Sequence, residues 1–156
     1  MSSHVETTRA FLHAFTPLTP EAFSPLLAAN YHHSFLPPSV AIHAPFTRDG
    51  FLAHVASMSR VMTGFPVTPT EIFEDPARNA VVAFATSEVV WNGEVVEAVR
   101  KEEGEEGEWK YEGSYVFALW FDEAGLVQRV VEFVDSEGTG RARGLIKRAL
   151  GLVGGK

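Results

Sequence analysis

Residues 111–134 read YEGSYVFALWFDEAGLVQRVVEFV, and the fold turns on how this stretch is read. Tyr111 to Phe121 and Leu126 to Val134 are two runs rich in aromatic and β-branched residues, the types enriched in strands. Asp122-Glu123-Ala124-Gly125 between them is a hairpin turn signal. Successive side chains of a strand point to opposite faces, so Tyr111, Gly113, Tyr115 and Phe117 share one face and Trp120 lies on the other. By the same parity Glu132 stands with Val130 and Val134, opposite Val131, Phe133 and Asp135. A long hairpin with polar groups set into one apolar face needs further strands beside it and helices over that face.

The rest of the chain supplies both. Upstream, Val67 to Phe73 and Ala80 to Trp91 read as strands separated by Glu74-Asp75-Pro76. The stretch between Trp91 and Tyr111, which contains KEEGEEGE at residues 101–108, reads as a long solvated hairpin loop. Nearer the N-terminus, Val5, Phe11, Leu12 and Phe15 fall on a helical repeat, with Ser3 and Glu6 spaced as a capping box and Thr16-Pro17 as the stop. Thr19-Pro20-Glu21 opens a second helix that runs to Ala29-Asn30. Tyr31 to Leu36 is a short strand halted by Pro37-Pro38. A third helix starts at Thr47-Arg48-Asp49, carries Phe51, Leu52, Val55, Met58 and Met62 on one stripe, and ends at Gly64. Residues 139–150 form an amphipathic tail helix whose basic face could reach the acidic loop. Helices followed by a run of strands indicate an α+β domain. The expected architecture is a curved antiparallel sheet wrapped around the N-terminal helices, with a hollow between the layers. One domain spans 1–156, its core about residues 5–136.

Composition narrows the function classes. The 156 residues suit one domain, and 46% hydrophobic with 21% charged residues is ordinary for a globular chain. A net charge of −7 argues against a nucleic-acid partner, which needs a basic field. There is no cysteine, hence no disulfide, thiolate metal site or thiol nucleophile. The first fifteen residues lack the pattern of a signal peptide and no window is apolar enough for a membrane span, so a cytoplasmic protein is expected. The six histidines show no HxxxH or HExxH spacing, and the neighbours His32 and His33 point to opposite faces, so no metal site is expected. No glycine-rich phosphate loop or nucleophile elbow is present.

Four segments carry a family resemblance: His33-Ser34-Phe35-Leu36-Pro37-Pro38-Ser39, Phe51-Leu52-Ala53-His54, Tyr111-Glu112-Gly113-Ser114-Tyr115-Val116-Phe117 and Glu132-Phe133-Val134-Asp135-Ser136. With the order of elements, they resemble the SnoaL-like, or nuclear-transport-factor-2-like, cone family, and within it a fungal branch of secondary-metabolite enzymes. The resemblance covers roughly residues 5–136. It implies a cofactor-free isomerase, cyclase or rearrangement enzyme acting on a terpenoid, polyketide or alkaloid intermediate, and a homodimer. It also implies that tyrosines and a glutamate in the region of Tyr111, Tyr115 and Glu132 take part in catalysis. Ser114 departs from the branch, which often places a carboxylate there; mechanisms needing two acids on that strand lose support.

Four residues are therefore the catalytic candidates: Glu132, Tyr115, Tyr111 and His33. Glu132 interrupts an otherwise apolar strand; facing a cavity it would move protons, and facing solvent it would pair with a nearby arginine such as Arg129. Two phenols on one face could stabilise charge on a substrate oxygen, or be ordinary core tyrosines. His33 shares parity with Phe35 and matches the histidine of the resembled branch; it is either a base near neutral pH or a satisfied core histidine. Phe35, Phe117, Trp91 and His54 are the expected substrate-binding residues. Trp120, on the outer face, would suit a dimer contact. The expected partner is a hydrophobic small molecule. The alternative is a non-catalytic ligand-binding or scaffold module of the same fold.

Overall fold

The computed structural model describes residues 3–40, 45–101 and 109–154. Helix α1 (His4–His13) begins with the expected capping box: Ser3 Oγ accepts from the Glu6 backbone N–H at 3.1 Å, and Glu6 Oε2 accepts from Ser3 N–H at 2.9 Å. α2 (Pro20–Phe23) is a single turn continued by a 3₁₀ turn over Ser24–Leu26. This is shorter than the sequence suggests, because Pro25 has no N–H to continue an α-helical ladder. The freed residues extend strand β1, which starts at Leu27 rather than Tyr31 and ends at Leu36.

The short strand β2 (Phe46–Thr47) leads into α3 (Arg48–Met58), where Thr47 Oγ1 accepts from Gly50 N–H at 3.1 Å. The helix stops at Met58, and Gly64 belongs instead to β3 (Met62–Gly64). β4 (Val67–Asp75) and β5 (Ala80–Glu88) follow. The expected strand to Trp91 breaks at Val89, and β6 (Val90–Trp91) leaves the main sheet to pair with β3. A second correction concerns the expected loop. Gly93–Lys101 is helix α4, capped where Asn92 Oδ1 accepts from Val95 N–H at 3.0 Å, with Val95 and Val99 buried on one face. The acidic stretch 102–108 and its expected contact with the basic tail lie outside the described residues.

β7 (Glu112–Phe121) and β8 (Val127–Val134) form the expected hairpin; Gly125 sits at φ +82° in its turn, a conformation that favours glycine. Helix α5 (Ser136–Gly154) includes the predicted 139–150 and is longer at both ends. Among the described residues no helix is long and apolar enough to cross a membrane.

The main sheet is curved and has the order β2-β1-β8-β7-β5-β4. It is antiparallel except for β1 against β8, which run parallel. β1 arrives from the helical layer, not from a hairpin, so nothing constrains it to run antiparallel to β8. One face of the sheet is buried: Val81, Leu119 and Val130 stand side by side across β5, β7 and β8, each with no exposed surface. Phe11, Phe23 and Phe51 from the three N-terminal helices pack together in the core, Phe23 edge to face with both others and its ring 5.1 Å from that of Phe51. The α+β assignment from the sequence therefore holds, with one parallel strand pair added.

Leu119 occupies the middle of that row. Replacing it by Ala should lower the unfolding free energy by about 3 kcal/mol in a urea titration, the scale for a fully buried leucine, without changing the sheet.

Candidate functional site

Strand parity brings polar groups to the buried face of the sheet. On β1, Tyr31, His33 and Phe35 alternate inward; on β8, Glu132 does so between Val130 and Val134. The parallel register sets Phe35 opposite Glu132 and His33 opposite Val130, so the imidazole reaches Glu132 diagonally. His33 Nε2 lies 2.9 Å from Glu132 Oε1, and His33 Nδ1 lies 2.6 Å from the Tyr31 hydroxyl. His33 has no exposed surface, and Tyr31 and Glu132 are 2% and 9% exposed.

Burial, reinforced by the nearby Glu132 charge, raises the Tyr31 phenol well above its ordinary pKa, so it keeps its proton. The assignment that uses every buried donor has Tyr31 O–H donating to Nδ1 and Nε2–H donating to Glu132. This chain fixes the histidine tautomer and holds one carboxylate oxygen. Among the described residues, no hydrogen bond engages the other oxygen.

A second polar group stands on β7 and β5. Ser87 Oγ donates to the Tyr115 hydroxyl at 2.8 Å, and the Tyr115 and Tyr111 hydroxyls lie 3.2 Å apart. Burial raises the Tyr115 pKa well above the usual phenol range, against a smaller lowering by Ser87; the neighbouring Tyr111 and Glu132 push it further up. Counting protons, Ser87 gives one to Tyr115 and one phenol gives its own to the other. One phenolic proton is then left over for a guest. Gly113 makes this pairing possible, since a Cβ there would run into both hydroxyls, 2.7 Å from that of Tyr111.

Both groups meet in one cavity of about 140 Å³, onto which Glu132, Tyr111 and Tyr115 open. Its apolar wall is Phe15, Phe35, Phe46, Phe51, Phe65, Met58 and Ile146, and its remaining polar residues are His54, Thr139 and Arg143. His33 and Tyr31 stand behind Glu132, outside the lining. The cavity thus has an acid–base group and a phenol pair set in aromatic walls, an arrangement able to move a proton and to hold an oxygen that gains charge. Larger hollows of about 490 Å³ (Thr68, Thr86, Glu88, Glu112) and about 530 Å³ (Glu94, Glu97, Lys101) carry no buried acid or base.

The expected substrate-binding residues are divided by the structure. Phe35 and His54 line the cavity, with the His54 ring stacked on Phe46 at 4.9 Å. Phe117 is 1% exposed and sits in the core between Phe15 and Tyr115, off the cavity wall. Trp91 is elsewhere: its Nε1–H donates to the Trp109 carbonyl at 2.7 Å, and it packs beside α4 with Val95 and Val99. The break at Val89 turned it away. Trp120 lies on the outer sheet face under the Arg129 guanidinium, 4.2 Å from the ring centre. Of the residues that sequence reasoning passed over, Tyr31 had a usable signal, its parity with His33; Ser87 and the α5 residues had none. Among the described residues, no group of three or more acidic or histidine side chains is arranged to hold a metal ion.

No protein-family model matches the chain, and no curated protein sequence does. Solved structures do. The BvnE pinacolase from Penicillium brevicompactum superimposes with a TM-score of 0.75 at 19% identity, over 94% of this chain and 96% of that one. AusH from Aspergillus nidulans gives 0.70 at 20% identity, covering 86% and 84%. An epoxide hydrolase of the LEH-like type from M. tuberculosis gives 0.65 at 14% identity over 96% of both chains.

His54 yields a pH test. Burial, with a smaller push from neighbouring His33, lowers its pKa from 6.5 to about 4. The unfolded chain then binds a proton that the folded one refuses as pH falls from 6.5 toward 4, so stability drops across that window and is intact above it. Thermal unfolding of His54→Leu should lose that part of the acid slope, on the order of 3 kcal/mol, while leaving the neutral-pH plateau near that of the native chain.

At these identities the likeness establishes architecture, and the chain has the SnoaL-like, nuclear-transport-factor-2-like cone fold.

Proposed function

We propose that this domain is a cofactor-independent enzyme that performs acid–base chemistry on a hydrophobic secondary-metabolite intermediate, such as a terpenoid, polyketide or alkaloid. One observation carries the reading: a buried carboxylate, held on one oxygen by His33, opens with a tyrosine pair onto a single aromatic cavity. Glu132 takes a proton from the substrate or returns one to it. One phenol of the Tyr111–Tyr115 pair donates its remaining proton to the oxygen on which charge gathers. His33 is a positioning residue, since it touches Glu132 and not the cavity; Tyr31 holds its tautomer. Phe35 and His54 shape the wall, and His54 stays neutral above about pH 4 and can hydrogen-bond without carrying charge.

Isomerisation, cyclisation, dehydration and skeletal rearrangement all lie within reach of these groups. The likeness to a pinacolase and to an epoxide hydrolase supports an enzyme of this kind over a carrier module. A homodimer is part of the proposal. On the outer sheet face, Leu36, Phe133, Val116 and Phe84 sit opposite one another across β1, β8, β7 and β5, and Leu36, Phe133 and Phe84 are 40–50% exposed. A second copy of the same face would cover this row.

Glu132→Gln keeps the size and the hydrogen-bonding shape but removes the base. Once a substrate is found, this variant should lose at least two orders of magnitude in kcat. Its melting temperature should stay within a few degrees of the native value. Unchanged turnover would remove Glu132 from the chemistry. For the assembly, light scattering should give a dimer for the native chain and a folded monomer for Phe133→Asp; a native monomer would end the dimer reading.

A further inference from the structure

One wall of the cavity belongs to no strand. Thr139, Ala142, Arg143 and Ile146 of α5 fall at helical spacing on one face and line the cavity. Two of them carry hydrogen-bonding capacity that the protein does not fully use. Thr139 Oγ1 is buried and has no hydrogen-bond partner among the described residues, an uncommon state for a buried hydroxyl. Arg143 gives one guanidinium N–H to the Val40 carbonyl at 3.0 Å, and no carboxylate among the described residues pairs with it. The guanidinium is exposed at the rim, tethered by a neutral acceptor and left with its charge and further donors. Glu132 borders the same cavity, yet no ion pair joins it to Arg143.

We propose that Thr139 and Arg143 form a carboxylate-recognition pair, so that the molecule presented to Glu132 carries a carboxylate at the end facing α5. This rests on the reading of the cavity as a substrate site and names the class of compound it takes. The carboxylate pairs with the Arg143 guanidinium, and a χ1 turn of Thr139 brings its buried hydroxyl round to the same carboxylate. Its apolar body lies among Phe35, Phe46 and Phe51, and its opposite end meets Glu132 and the phenols. The cavity volume of about 140 Å³ sets the size of the part that is held inside. A dry apolar cavity of about 150 Å³ is known to take a benzene-sized guest. A single ring or a short branched chain therefore fits inside, and anything larger extends through the rim.

The test is a titration of the full chain, followed by ¹H–¹⁵N NMR, with benzoate and its neutral isostere benzamide. Benzoate should bind saturably in the millimolar range or below, about tenfold tighter than benzamide, the scale of one charge-assisted hydrogen bond. Arg143→Met should erase the preference, Arg143→Lys should restore part of it, and Thr139→Val should weaken benzoate a few-fold. Lys147→Met, at an exposed basic position of α5 outside the cavity, should change nothing. Glu132→Gln should bind benzoate at least as tightly as the native chain, which separates this proposal from the acid–base reading. Equal affinity for the two probes, no saturable binding of benzoate, a preference that survives in Arg143→Met, or loss of benzoate binding in Glu132→Gln would each overturn the proposal.

Discussion

A carboxylate buried among phenylalanines is expensive unless it is paired and hydrogen-bonded, and the Glu132–His33 contact at 2.9 Å is how this fold tolerates one. The contact requires that β1 run beside β8, parallel to it, with Phe35 level with Glu132. That in turn requires the chain to leave the short second helix at Leu27, early enough for Tyr31 to arrive two residues before His33 and hold its far nitrogen. The helices then complete the enclosure: Phe51 of α3 stacks 5.1 Å from the His33 ring and shields the pair from water. Interior polarity here is a chain of three side chains, each satisfying the next.

The two faces of the sheet show how much a period of two decides. On β7 the inward positions Gly113, Tyr115, Phe117, Leu119 and Phe121 are all buried, while Ser114, Val116, Ala118 and Trp120 between them remain partly or fully accessible. A one-residue slip would exchange the phenol pair for Glu112 and Val116 or for Lys110 and Ser114, so the register against Val81 and Val130 protects the site as well as the core.

Much of this was legible in the residues. Alternation on 111–121 and 126–134 groups Tyr111 with Tyr115 and Glu132 with Val130 and Val134, because parity is a property of the strand alone; which face turns inward is decided by the packing. What the sequence could not carry was pairing between distant segments. His33 and Glu132 are 99 residues apart, and the parallel direction of β1 depends on how the helices fill space rather than on any local pattern. Trp91 was misplaced for a related reason: Val89 donates its N–H to the Tyr111 carbonyl, which ends β5 and swings the next residues toward β3. Helix α4 had a signal, Asn92 ahead of valines at positions 95 and 99, but the acidic run after it dominated the reading as a loop. Thr139 and Arg143 read as one more polar face of a tail helix; the structure sets that face along the cavity, with Arg143 at its rim.

The placement of α5 bears on how such a protein can diversify. Glu132, His33 and Tyr115 stand on strands that are paired on both sides, and Tyr111 directly precedes β7. The opposite wall comes from a helix near the chain end, bound to the rest by side-chain packing and by single tethers such as Arg143 to Val40. Under the proposed function, substitutions along that helix would rewrite which molecule enters while leaving Glu132 and the tyrosines in register. Lineages sharing this scaffold could therefore exchange guests faster than they exchange chemistry, with the last helix as the replaceable part.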